Sequence, residues 1–343
     1  MKLLIVSTPF IPVPPPTYGG LERIVFDLAS ALSKLGEQVT VACPAESKLP
    51  SGIEHLSIGP AKYQVQQDWV QAEKEAYDKY KPLLKEFEII HDQTWYGWPY
   101  LAEREDNSLR IIHTHHGHLN WRTPPPVRHA NLVAISQYMA ALYSRQLGVP
   151  VRCVYNGVAL DDYQYNSEPG TRLLYLGRIA KFKQPHVAVD VAKRAGAGLD
   201  IVGGDRFVDD FSYVERVKQS CDGARARYIG EVPHELKLRH LQNCRAVVIP
   251  SQMGEPFGLV AVEALACGRP VICLDDGALK EIVTPSVGFV CQTPDEMVEV
   301  IKEGKDLAVR PERCRARAEE FSSEKMARDY RKLYADILRG DEW

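Results

Sequence analysis

Residues 246–274, AVVIPSQMGEPFGLVAVEALACGRPVICL, hold a complete strand–loop–helix–strand unit. Two short runs, 246–250 and 270–274, are apolar at nearly every position, as a parallel strand buried on both faces requires. Between them Pro256, with glycines at 254 and 258, breaks regular structure before an apolar helix over 258–267. Two carboxylates interrupt this pattern. Glu255 falls in the loop and Glu263 inside the helix, where a charge among apolar side chains requires a partner. Eight positions of ideal helix leave the two about 80° apart in azimuth, so they need not share a stripe. A loop-to-helix arrangement suits different parts of one extended ligand, and the helix N-terminus near Gly258 and Leu259 favours an anion between them. The plainer alternatives are a solvated or capping Glu255 and a Glu263 held by backbone.

The same alternation runs outward along the chain. Before residue 160, strands are expected at 3–7, 38–42, 88–92, 110–114, 131–136 and 151–155, with a helix over 20–35. A polar, turn-rich stretch at 155–170 follows, and the pattern restarts with strands at 172–177, 199–203, 226–230, 246–250, 270–274 and 288–292. Helices are expected between them at about 184–195, 211–221, 233–242, 258–267 and 294–303, by their apolar periodicity. Two β/α series joined by a linker predict two doubly wound α/β domains, 1–160 and 161–322. Residues 322–339 open on Ser-Ser-Glu and close on Lys/Arg, the pattern of a terminal helix.

Composition narrows the function. The 343 residues carry a net charge of -3, and positions 1–160 hold 15 basic and 15 acidic residues, so neither half offers nucleic acid an electrostatic footprint. The apolar run at the start, Leu3 to Ser7, is shorter than the roughly 7–15 residues of a secretory signal and is followed by prolines. No run approaches the ~18 residues of a transmembrane helix. Eight cysteines without a C-x-x-C pair read as reduced thiols, so the expected location is the cytoplasm, with peripheral contact at the inner face of the membrane still compatible.

Ligands of doubly wound sheets bind beyond the carboxyl ends of strands, so loops there are the places to search. After the first strand, Gly19 and Gly20 precede a helix, where backbone N–H groups favour an anion; a turn using glycine for geometry alone is the plainer reading. After the strand at 172–177 come Arg178, Lys181 and Lys183. Arg178 and Lys183 suit phosphate oxygens, against the alternative of solvated loop cations, and Lys181 stays with the latter. His113, His115, His116 and His118 cluster after another strand. No nearby cysteine or carboxylate completes a zinc set, and hydrogen bonding to a polar ligand is the better reading. His91 and Asp92 end a further strand, with a core or turn role the leading alternative. Neither a G-x-G-x-x-G fingerprint nor a P-loop is present.

Taken together, YGGLERIVFDLASALSKLGEQVTV, HTHHGH, VAISQYMA, VYNGVALDDY, YLGRIAKFK, IVGGD, YIGEV and the stretch from Pro250 to Val283 resemble glycosyltransferase family 4 over almost the whole chain. The resemblance implies a retaining, sugar-nucleotide-dependent enzyme of the GT-B fold. Its two Rossmann-like domains would face across a cleft, with the helix at 323–343 crossing back to the first. It implies that Glu255 contacts the donor sugar near the reacting centre and that Glu263 binds the ribose hydroxyls. Arg178 and Lys183 would neutralise the donor diphosphate, Gly19 and Gly20 close on it, and His116 lie beside the sugar. Loop backbone around Gly230 and Val232 would hold the base, and Phe257, Gly258 and Leu259 the phosphate and sugar.

The implied mechanism is same-face attack, with the donor phosphate taking the acceptor's proton. It needs no metal, no other cofactor and no enzyme nucleophile. The donor is a UDP- or GDP-type sugar, with UDP-glucose as default, and the acceptor is a hydroxyl on a sugar, a lipid-linked glycan or a small molecule. A sugar-nucleotide epimerase or a phosphorylase on the same architecture is the alternative, which the Arg178/Lys183 and Glu255/Glu263 spacings fit less well; a non-catalytic binding protein fits still less. Two departures stand out. HTHHGH has more histidines than the motif needs, which puts the register of His116 against His115 in question. Gly277-Ala278 stands where the family has Gly-Gly. Residues 60–86 carry no motif and are expected to shape the acceptor side.

Overall fold

In a computed structural model, residues 1–343 are described apart from 18, 63–67, 103–105, 107, 120–129, 206, 207 and 209. The chain divides into two compact units, residues 1–157 with 323–343, and residues 158–322.

The first unit runs β1 (Lys2–Val6), α1 (Gly20–Lys34), β2 (Gln38–Cys43), β3 (Ile53–Ser57), α2 (Trp69–Tyr80), β4 (Ile89–Asp92), α3 (Trp98–Ala102), β5 (Ile111–His115), β6 (Leu132–Ala134), α4 (Gln137–Leu147) and β7 (Arg152–Cys153). The second runs β8 (Arg172–Leu176), α5 (Pro185–Ala195), β9 (Gly198–Val202), α6 (Phe211–Ser220), β10 (Ala226–Gly230), α7 (His234–Asn243), β11 (Val247–Ile249), α8 (Leu259–Ala266), β12 (Val271–Leu274), α9 (Leu279–Ile282), β13 (Gly288–Cys291), α10 (Pro294–Lys302) and α11 (Pro311–Glu319). The last helix, α12 (Ser323–Arg339), returns to the first unit.

Both sheets are parallel throughout. Their orders are β3-β2-β1-β4-β5-β6-β7 and β10-β9-β8-β11-β12-β13. The order reverses between β1 and β4 in one and between β8 and β11 in the other, and the crevice at such a reversal is where this architecture receives ligands. The central strands are buried on both faces: every residue of β4, β5 and β12 is buried. Alternate residues divide the second sheet between two helical layers, with Leu173, Leu199, Ile201, Val248 and Ile272 in one cluster with Val189, Ala192, Met297 and Ile301 of α5 and α10.

Strand β3 and the helices α2, α3, α4, α9 and α11 went unread in the sequence. β3 is an edge strand whose burial is confined to Ile53 and part of Leu56, so IEHLS lacks an apolar signature. Helix α2 buries Ala72, Glu73, Ala76, Tyr77 and Tyr80, a stripe disguised by two alanines and a glutamate. Of the unassigned segment 60–86, residues 63–67 lie outside the described residues.

Helix α12 joins the first unit through a buried stripe of Met326, Ala327, Tyr330, Leu333, Tyr334 and Ile337. Its polar atoms are matched to the sheet. The Tyr334 hydroxyl lies 2.7 Å from His91 Nδ1, and the Tyr330 hydroxyl lies 2.9 Å from Thr114 Oγ1, which is 2.8 Å from His91 Nε2. His91 is thus a core residue. Past the helix, Trp343 donates through Nε1 to the Leu132 carbonyl at 3.0 Å, and the Arg152 guanidinium stacks on its ring.

In the second unit the ends of β8 and β9 approach so closely that only glycine fits. A Cβ on Gly203 would stand 1.7 Å from the Gly177 carbonyl oxygen. Gly203→Ala is therefore expected to destabilise the protein by about 3 kcal/mol, read by urea unfolding, because backbone on both sides must move. An unchanged midpoint would contradict this close approach.

Candidate functional site

The reversal in the second sheet brings two loops together. The first leaves β8 and carries Arg178, Lys181 and Lys183; the second leaves β11 and carries Glu255. Lys183 Nζ donates to Glu255 Oε2 at 2.6 Å, and Ser251 Oγ adds a 3.3 Å bond to the same oxygen. The Glu255 carboxylate is buried, at 8% exposure, while Lys183 keeps about a quarter of its side-chain surface. Arg178 lays its guanidinium over the Phe182 ring, 5.1 Å from the centroid. Lys181 turns away to Asp210, Nζ to Oδ2 at 2.6 Å, and remains a surface cation.

Glu263 sits in the second turn of α8 with a different set of partners. The Tyr163 hydroxyl donates to its Oε1 at 2.8 Å and Lys237 Nζ to the same oxygen at 2.6 Å. Burial would raise this carboxyl, but the Lys237 ammonium and these bonds outweigh it and hold it below the usual range. It is therefore an ionised, oriented carboxylate. Neither Tyr163 nor Lys237 was singled out in the sequence. A buried glutamate calls for a cation, but sequence spacing gives no way to choose Lys237, 26 residues upstream, as that cation.

Around this pair the other expected donor residues are backbone features. Gly258 caps α8 in the left-handed region, at φ 96°, and as a glycine has no side chain to bond the helix N-terminus at Leu259. The Phe257 ring is buried edge-on against Phe321. Gly230 ends β10 at an irregularity in register, and its carbonyl accepts from Gly203 N at 2.9 Å; Val232 follows, half-buried.

In the first unit Gly19 caps α1 and Gly20 begins it, with the Gly19 carbonyl accepting from Arg23 N. Glu22, in the first turn, is buried and accepts from Thr8 Oγ1 at 2.7 Å. Burial pushes its carboxyl up to about 7, against the lowering effect of Thr8. The folded protein therefore holds a proton there that the unfolded chain releases near pH 4.5. Stability from this group is complete below that pH and falls as pH rises towards about 7, by on the order of 3 kcal/mol. The Tm of the wild type is expected to drop relative to that of Glu22→Gln between about pH 5 and pH 8; parallel profiles would contradict the shift.

The histidines separate by role. His113 donates or accepts between Asp92 Oδ2, at 2.8 Å, and His115 Nδ1, at 3.3 Å, all three side chains being buried in or at the end of β4 and β5. His115 Nε2 lies 3.2 Å from the His118 carbonyl. These are internal contacts. His116, one residue past β5, is half-buried and its Nε2 lies 2.9 Å from Gln93 Oε1, in the loop leaving β4. Burial and then the neighbouring His113 push its pKa down to about 3, so it is a neutral imidazole at physiological pH. Among the described residues no group of three or more His, Cys, Asp or Glu side chains is placed to hold a metal ion. Also among them, no helix is long and apolar enough to cross a membrane.

With these groups in place, the comparisons with known proteins are specific. The family model Glycosyltransferase Family 4 matches residues 18–162, and Glycosyl transferases group 1 matches residues 163–321. The chain belongs to glycosyltransferase family 4 and is a glycosyltransferase of the GT-B type. Among curated relatives, the lipopolysaccharide 1,2-N-acetylglucosaminetransferase of Salmonella typhimurium is 24% identical over 326 residues, covering 83% of each chain. Among solved structures, a glycosyltransferase of avilamycin A biosynthesis superposes with a TM-score of 0.75 at 23% identity, covering 100% of this chain and 99% of the other. An Anabaena protein in complex with UDP-glucose superposes with a TM-score of 0.72 at 18% identity, covering 99% and 100%.

Proposed function

We propose that the protein transfers a sugar from a nucleoside-diphosphate sugar to an acceptor hydroxyl with retention of anomeric configuration and without a metal. The observation that carries this reading is the 2.6 Å contact between Lys183 and Glu255 at the sheet reversal. In it one cation links the loop expected to meet the diphosphate with the carboxylate expected to meet the sugar. As the glycosidic bond breaks, negative charge develops on the diphosphate and positive charge on the sugar. Lys183, Arg178 and the N-terminus of α8 favour the first, and Glu255 the second. Glu263, ionised and aimed by Tyr163 and Lys237, suits the vicinal hydroxyls of a ribose, which donate to a carboxylate. Neutral His116 serves as a hydrogen-bonding group for a sugar and is not the proton source.

The donor is a UDP- or GDP-type sugar. The UDP-glucose complex of the Anabaena structure supports UDP-glucose as the first candidate. The acceptor is a hydroxyl of a sugar, a lipid-linked glycan or a small molecule, used on the cytoplasmic side.

A panel of sugar nucleotides in a thermal-shift assay tests the donor assignment, because a ligand that binds only the folded state raises apparent stability by mass action. Stabilisation by one nucleoside-diphosphate sugar, undiminished in excess chelator, is expected. No stabilisation by any sugar nucleotide, or stabilisation only when magnesium is returned, would count against it.

A further inference from the structure

A second carboxylate, Asp276, controls where Glu255 stands. The loop from Ser251 to Gly258 has no regular structure, yet three consecutive N–H groups in it converge on one side chain. Asp276 Oδ1 accepts from Gly254 N at 2.7 Å and from Met253 N at 3.2 Å; Oδ2 accepts from Glu255 N at 3.1 Å and from Met253 N at 3.1 Å. The return contact is made by backbone, Ala278 N donating to the Glu255 carbonyl at 2.8 Å. Gly277 lies between these two anchors at φ +56°, and a Cβ there would stand 2.3–2.4 Å from the Glu255 N and O atoms. Its neighbour Asp275 is engaged elsewhere, with Lys280 and Gln292.

We infer that Asp276 is a positioning residue for the transfer reaction: it gathers the N–H groups of residues 253–255 and so fixes the Glu255 carboxylate against the donor sugar. This rests on the reading of Glu255 given above. A carboxylate can accept all of these bonds at once. An asparagine of the same size offers one acceptor oxygen and turns an NH2 group towards backbone donors, so at least one bond becomes a repulsion. The loop is then free to shift while the sheet, the Lys237–Glu263 pair and the α8 terminus keep their own supports.

Asp276→Asn is therefore expected to lower kcat by about 10–100-fold through misplacement of the reacting geometry, with the affinity for a nucleoside diphosphate lacking the sugar unchanged. Asp276→Glu, which keeps the charge and both acceptors, should recover part of kcat. Glu255→Gln runs beside them as the reference. Loss of kcat in Asp276→Asn with nucleoside diphosphate affinity retained supports the inference. Wild-type kcat in Asp276→Asn, while Glu255→Gln is impaired, overturns the role of Asp276 and leaves the site reading standing. Proportional loss of sugar-nucleotide and nucleoside diphosphate affinity also overturns it, since that marks a general support of the fold. If Glu255→Gln is itself fully active, the site reading and this inference fall together.

Discussion

Glu255→Gln is expected to fold normally and to lose roughly 10²–10³-fold in kcat, the loss that follows when one preorganised electrostatic group at a reacting centre is removed. The loss is one of charge, since glutamine keeps the shape and the bond from Ser251. What disappears is the negative charge opposed to Lys183 at 2.6 Å and, in the reaction, to the sugar as its leaving group departs. The sign of a second effect separates this account from simple disruption. With its carboxylate partner neutralised, Lys183 is released towards the diphosphate, so nucleoside diphosphate affinity should hold or increase. A variant with wild-type kcat, or one that loses kcat and nucleoside diphosphate affinity together, would contradict the assignment.

Glu263→Ala should show the converse, with nucleotide affinity falling about 10–100-fold, the equivalent of the roughly 1.5–3 kcal/mol of charged hydrogen bonds. Both described bonds to this carboxylate fall on Oε1, and the proposed ribose contact would fall on Oε2. Removal also strands Lys237 beside the Tyr163 hydroxyl. Because Lys237 is 18% exposed it can turn to water, so the loss of stability should stay below the roughly 3–5 kcal/mol of a broken, fully buried pair. Isothermal calorimetry with the nucleoside diphosphate checks this, and undiminished affinity would remove Glu263 from the ribose.

Much of the fold was legible because central parallel strands are apolar on both faces. The runs ending at Asp92, at Thr114 and at Leu274 read as strands, and the structure places each within a residue or two. What escaped was polar where burial would have made it apolar. β3 exposes most of its residues, and the stripe of α2 contains Glu73, which accepts from Trp95 N and Tyr96 N and so passes for a surface residue in the sequence. Helix α4 escaped as well: Ser136 Oγ accepts from Met139 N and Gly148 ends the helix, but its buried face is only Met139, Ala140 and Tyr143. The site divides in the same way. Glu255, Glu263, Arg178 and Lys183 stood out as charges beside apolar strands. Their supports did not, because Lys237, Tyr163 and Asp276 reach them through the fold from 26, 100 and 21 positions away.

The most direct measurement is a time-resolved proton NMR assay of an α-linked sugar nucleotide with enzyme, acceptor and excess chelator. Release of the nucleoside diphosphate with an α-configured product is the expected result. A β-configured product, a rearranged sugar nucleotide, or turnover only after a divalent metal is restored would contradict retaining, metal-free transfer at the Glu255–Lys183 site.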